Sequence, residues 1–156
     1  MPVSVYAVNT APRLGQTVVA ERIDSLNDSD YSITIPAGKI RHYHAFAVQL
    51  SCTATVGNRQ LRFMTFDPAG VGIANIVTAG LTASQVGVIL LLEGVPWDGT
   101  PRTAPFAVIT PNQMITTSIP VPYLVEDCVI RVWDNSAIDP AADDLYIIQN
   151  YEEWDA

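Results

Sequence analysis

Residues 45–56, AFAVQLSCTATV, decide how this chain is read. Phe46, Val48, Leu50, Cys52, Ala54 and Val56 fall on one face; Ala45, Ala47, Gln49, Ser51, Thr53 and Thr55 fall on the other. A period of two is the signature of a half-buried strand. Gly57-Asn58 follows, a two-residue loop suited to a tight hairpin. Arg59 to Phe66 reads as the returning strand, with Leu61, Phe63 and Thr65 on one side. Asp67-Pro68-Ala69-Gly70 then places Pro and Gly where a type I turn prefers them. A third strand is expected near Ile73 to Thr78, so 45–78 reads as an antiparallel meander.

The same alternation extends outward. Tyr31, Ile33 and Ile35 alternate with Ser32 and Thr34, and Cys128, Ile130 and Val132 with Val129, Arg131 and Trp133. Val86 to Leu92 is a continuous apolar run, expected as a strand buried on both faces. Phe106 to Thr110 and Met114 to Ile119 flank a Pro111-Asn112 turn, and Leu145 to Tyr151 reads as a last strand. Helical periodicity is almost absent, and eleven prolines and nine glycines punctuate the chain. Short strands without βα alternation predict an all-β fold: an antiparallel β-sandwich, jelly-roll-like, spanning residues 1–156 as one domain. Three segments read as irregular: an extended N-terminal arm within 1–16, a polar loop over 24–30, and a Pro-rich loop over 94–105 around Trp97.

Composition bounds the function. The 156 residues are 49% hydrophobic and 15% charged, which fits a packed domain rather than a disordered one. No apolar run approaches the ~20 residues of a membrane helix, and no secretory leader is expected in residues 1–20. The net charge of −8 argues against nucleic acid, which demands clustered Lys and Arg. The charge is lopsided. Residues 1–75 carry six basic and five acidic side chains; residues 76–156 carry two and eleven. The acidic half either faces solvent or meets a basic partner.

Catalytic constellations are sparse. His42-x-His44 puts two imidazoles on one face of a strand, as the jelly-roll enzymes called cupins do. Here the glycine spacing differs, Gln49 stands near the expected glutamate, and the chain has no third histidine. No metal or cofactor is therefore expected. Asp139, Asp143 and Asp144 lie close in sequence but lack the spacing of a calcium loop. Cys52 and Cys128 fall on core faces and read as buried free thiols. Glu126-Asp127 and Glu152-Glu153 point to opposite faces of a strand, poor geometry for paired-carboxylate hydrolysis. No nucleophile elbow or phosphate loop occurs, so no enzyme is expected.

Two stretches carry a resemblance: TATVGNRQLRFMTFDPAG, residues 53–70, and VIRVWDNSAIDPAADDLYIIQNYEEW, residues 129–154. Together they resemble small β-sandwich proteins of tailed bacteriophages that decorate or cement the capsid. The shared features are Val56 to Arg59, Asp67 to Gly70, Arg131 to Asp134, Ile138 to Asp144, and Glu152 to Trp154. The resemblance covers roughly a third of the chain. It implies a non-enzymatic virion protein on the capsid exterior, bound to the major capsid protein and self-associated, with a trimer favoured. The residues expected at interfaces are Tyr6, Arg13, Trp97, Tyr123 and Leu124. The alternatives are a tail-, neck- or fibre-associated sandwich, and a carbohydrate-binding module using Trp97 or Trp133.

Overall fold

A computed structural model describes residues 15–25, 29–78, 80–94, 113–136, 138–139 and 141–156. Among these residues run ten strands: β1 (Thr17–Ser25), β2 (Asp30–Thr34), β3 (Lys39–Ser51), β4 (Leu61–Phe66), β5 (Gly72–Val77), β6 (Val86–Leu92), β7 (Gln113–Ser118), β8 (Tyr123–Val125), β9 (Val129–Asp134) and β10 (Asp144–Asp155). The large sheet runs β1-β10-β3-β6-β7, with β8 paired to the first residues of β3. The small sheet runs β2-β9-β4-β5. All pairings are antiparallel except β6 with β7. The chain is an all-β sandwich, and no helix occurs among the described residues.

The inner faces supply one core. Val48, Leu50, Ile89, Leu91, Leu145 and Ile147 come from the large sheet, and Ile33, Leu61, Phe63, Ile130 and Val132 from the small one. Phe46 of β3 meets Phe63 of β4 edge to face across the sandwich, with ring centroids 5.4 Å apart. That arrangement puts the positive ring edge against the negative face. The alternation expected of Leu61, Phe63 and Thr65, and of Cys128, Ile130 and Val132, is present as alternating burial.

Several expectations are corrected. The Gly57-Asn58 hairpin does not form: β3 and β4 lie in different sheets, and residues 52–60 arch from one to the other. β3 stops at Ser51, and Val56 is 91% exposed rather than on a core face. Asp139 and Asp143 hold this segment by hydrogen bonds to Thr53 and Thr55. Only the β4–β5 half of the meander is a hairpin; there Gly70 N donates to Asp67 O at 2.9 Å, as a type I turn requires. β6 is buried on one face, not two: Ile89 and Leu91 point inward, while Val88, Leu90 and Leu92 are half-buried on the outer face. β1 occupies Thr17–Ser25, where no strand was expected, and takes the first residues of the polar 24–30 segment. The N-terminal arm, the Trp97 loop, Phe106 to Thr110 and the Pro111-Asn112 turn lie outside the described residues, apart from Gly15 and Gln16 of the arm and Gly94 of the loop.

Cys52 and Cys128 are free and buried. Burial pushes the Cys52 thiol from 9.0 up to about 12, with Arg59 partly opposing; burial likewise pushes Tyr43 from 10.0 up to about 12. Both groups fold as neutral acids whose values rise on folding. Their stabilising contribution is therefore complete below about pH 9 and is lost as pH climbs toward 12. Melting temperature is expected to hold from pH 8 to about 9 and then fall steadily, and Cys52 is expected to resist thiol reagents at pH 8 until the chain unfolds. Rapid labelling of Cys52 in the folded protein at pH 8 would contradict its burial.

Candidate functional site

Two polar clusters stand out. The first ties the arch to the β9–β10 connection. Arg59 and Asp143 are both wholly buried, joined by Arg59 Nε to Asp143 Oδ2 at 2.7 Å and Nη2 to Asp143 Oδ1 at 3.2 Å. Arg59 Nη1 donates to the carbonyls of Thr55 (2.8 Å) and Gly57 (3.4 Å), and Nη2 also donates to Thr53 Oγ1 (3.1 Å). A guanidinium has five N–H groups, and these contacts engage all of them. Asp143 Oδ1 accepts from Thr53 N at 2.7 Å. Asp139 Oδ2 accepts from both the Thr53 and Thr55 hydroxyls at 2.7 Å, and these bonds hold its carboxyl below the usual range. Asp134, also buried, accepts from the backbone N–H groups of Gln60, Ser136 and Ile138.

This cluster explains the arch. Thr53 and Thr55 turn their hydroxyls to Asp139, and Arg59 gathers the carbonyls of the loop, so residues 53–59 wrap a side-chain lock instead of extending β3 into a ladder. Gly57 supplies space: a Cβ there would stand 2.7 Å from Cγ2 of Ile138. Asp139 and Asp143 thus serve the fold through Thr53, Thr55 and Arg59. Residues 53–70 and 129–154 meet in this lock.

The second cluster lies on the outer face of the large sheet. His44 is the extra residue of a β-bulge: Asn150 faces Ala45 and Tyr151 faces Tyr43, leaving His44 between them. The bulge lets Tyr43 and Phe46 both point into the core while His42 and His44 share the outer face. His42 Nε2 lies 2.7 Å from Glu93 Oε1, and His44 Nδ1 lies 2.6 Å from Glu93 Oε2. His44 Nε2 is 3.6 Å from Glu152 Oε1, contributed by β10 opposite His42. Tyr123 of β8 stacks on the His42 ring at 4.1 Å and 12°, and Trp154 meets Tyr123 edge to face. The histidine bonds, His44 first, hold the Glu93 carboxyl below its usual value against a smaller opposing effect of burial. His42, His44 and Glu152 offer donor atoms within 4.8 Å of one another.

Sequence reasoning found the histidine pair but not its carboxylates. Glu93 is 49 residues from His44, and Glu152 is aligned only by the β3–β10 register. Glu126-Asp127 lies in the turn between β8 and β9 and not on a strand, whereas the Glu152-Glu153 pair does split to opposite faces: Glu152 approaches His44, while Glu153 Oε2 accepts from Arg41 Nε at 2.7 Å. Of the expected interface residues, Tyr123 is 49% exposed, but Leu124 is only 2% exposed and belongs to the core, since β8 alternates against β3. Tyr6, Arg13 and Trp97 lie outside the described residues.

The lopsided charge is partly resolved within the chain. Lys39 pairs with Asp155, Arg41 with Glu153 and Arg59 with Asp143, each joining a base of the first half to an acid of the second. Beyond the lock and the histidine cluster, the outer face of the large sheet presents a shallow apolar surface of Ala47, Val88, Leu90, Tyr146 and Ile148. Ile148 there is 56% exposed.

The described residues form a two-sheet β-sandwich that carries both clusters. Its sequence matches no protein-family model, and no relative is found among curated proteins.

Proposed function

We propose that this chain is a non-enzymatic structural protein of a tailed-bacteriophage virion that binds the outer surface of the capsid and stabilises it, as an oligomer with a trimer favoured. The observation that carries this reading is the lock. The stretches 53–70 and 129–154, each too short to identify anything alone, are joined by the Arg59–Asp143 pair into one structural unit. The strand order supports a jelly roll. With β7 and β8 set aside, β1-β10-β3-β6 faces β2-β9-β4-β5, so strands from opposite ends of the chain interleave in both sheets. A rigid sandwich with a single lysine loses little side-chain entropy on docking. Contacts that are weak singly add as avidity when an oligomer meets a repeating shell. The apolar outer face around Leu90, Tyr146 and Ile148 is the docking surface this reading favours.

Co-sedimentation of the purified chain with mature and immature capsid shells tests it. The expected result is saturable binding to mature shells at on the order of hundreds of copies each, as a repeating lattice of sites demands. A handful of copies would move the chain to a tail, neck or fibre role, and no binding would overturn the virion-surface reading. A carbohydrate-binding role is less well supported, because the Trp133 ring is approached by Arg62 and Arg131, which compete for the stacking a sugar would need.

A further inference from the structure

We propose that His42, His44 and Glu152 form a binding site for one divalent transition-metal ion of the zinc class, with Glu93 as the outer carboxylate that orients both imidazoles. This site is independent of what the sandwich docks on.

The geometry of the donors argues for it. Around a four-coordinate zinc with bonds of ~2.0–2.2 Å, donor atoms stand about 3.4 Å apart. His44 Nε2 and Glu152 Oε1 are 3.6 Å apart, too far for a hydrogen bond and close to that edge length. Glu93 meets one nitrogen of each ring, His42 Nε2 and His44 Nδ1. A carboxylate only accepts, so in neutral rings both of those nitrogens carry the proton. The lone pairs then sit on His42 Nδ1 and His44 Nε2. At His44 that lone pair faces a carboxylate oxygen of Glu152, an arrangement that either a second ring proton or a bound cation satisfies, and the His42 donor on the same face extends it to a three-donor set. A histidine whose far nitrogen donates to a carboxylate is the arrangement that fixes tautomer and raises basicity in metal-binding sites.

The scaffold is stiff where it must be. The bulge sets His44, the β3–β10 register sets Glu152 beside His42, and Tyr123 stacks flat on the His42 ring. Glu93 is anchored through its backbone, whose N–H donates to His44 O at 2.9 Å. Two imidazoles and one carboxylate suit zinc or iron(II) and not calcium or magnesium, which take oxygen sets. Three protein donors leave a fourth position for water. His44 and Glu93 are partly exposed, so an ion has a path in from solvent.

The test uses the full chain without an affinity tag, stripped with chelator, and titrated with zinc by calorimetry and with cobalt(II) by visible absorption. One equivalent is expected to bind, cobalt is expected to give the intense absorption of a four-coordinate site, and zinc is expected to raise the melting temperature. Glu152→Gln and His44→Ala should each weaken zinc binding by more than about 100-fold and abolish the thermal shift, whereas Glu93→Gln should cost about 10–100-fold, the range for an outer-shell partner. The Glu152→Gln side chain keeps its size on an outer sheet face, so that variant stays folded even where His44→Ala disturbs the bulge. No stoichiometric binding, or binding unchanged in Glu152→Gln, would overturn the site.

Discussion

Arg59→Met is expected to lower the unfolding free energy by about 3–5 kcal/mol, the cost of leaving one member of a buried ion pair without its partner. Both side chains of the pair are wholly shielded from solvent, so water cannot replace the lost guanidinium beside Asp143. The substitution also strips hydrogen bonds from Thr53 Oγ1 and from the carbonyls of Thr55 and Gly57. At about 2–4 °C per kcal/mol for a chain of this size, melting should fall by roughly 6–20 °C. Urea unfolding followed by tryptophan fluorescence measures it. Adding Asp143→Leu should recover part of the loss, because replacing both members by apolar side chains removes the uncompensated charge. Recovery stays incomplete, since Thr53 N still loses its acceptor. A single-variant loss below about 1 kcal/mol would place the pair in the solvent-exposed class and contradict the lock.

Phe46→Ala is expected to cost about 3–5 kcal/mol through lost burial and the cavity left behind. The ring is 2% exposed and packs edge to face on Phe63 of the opposite sheet and on Tyr43 of its own strand. It therefore bridges the two layers, and neither sheet can collapse into the space without bending. Ile148→Ala, on the same sheet but 56% exposed, should stay within about 0.5 kcal/mol. Equal effects at the two positions would mean that the face assignment of the large sheet is wrong.

The fold class was legible in the alternation of β3, β4 and β9, because inward and outward positions on a strand are set locally by the pleat. The turn at Asp67–Gly70 was legible for the same reason: Asp67 accepts from the N–H groups of Ala69 and Val71 within its own turn. β1 was not, because Thr17–Ser25 mixes charged and apolar residues on a strand whose one partner among the described residues is β10. The supposed hairpin at Gly57-Asn58 failed for a different reason. Its glycine makes room for Ile138 rather than a tight turn, and no local signal distinguishes the two uses.

Sequence by itself determined that this protein is built of strands, that its core faces include Phe46, Leu61, Phe63, Ile130 and Val132, and that its cysteines are buried thiols. These follow from a two-residue period and from side-chain hydrophobicity, both properties of neighbours along the chain. Only the tertiary structure decided which strands pair, that Arg59 spends its charge on Asp143, and that Glu93 and Glu152 complete the surroundings of His42 and His44. Those are contacts across 49 to 108 residues of chain. They depend on strand order and on a one-residue bulge, because a shift of one position turns each side chain to the opposite face of its sheet.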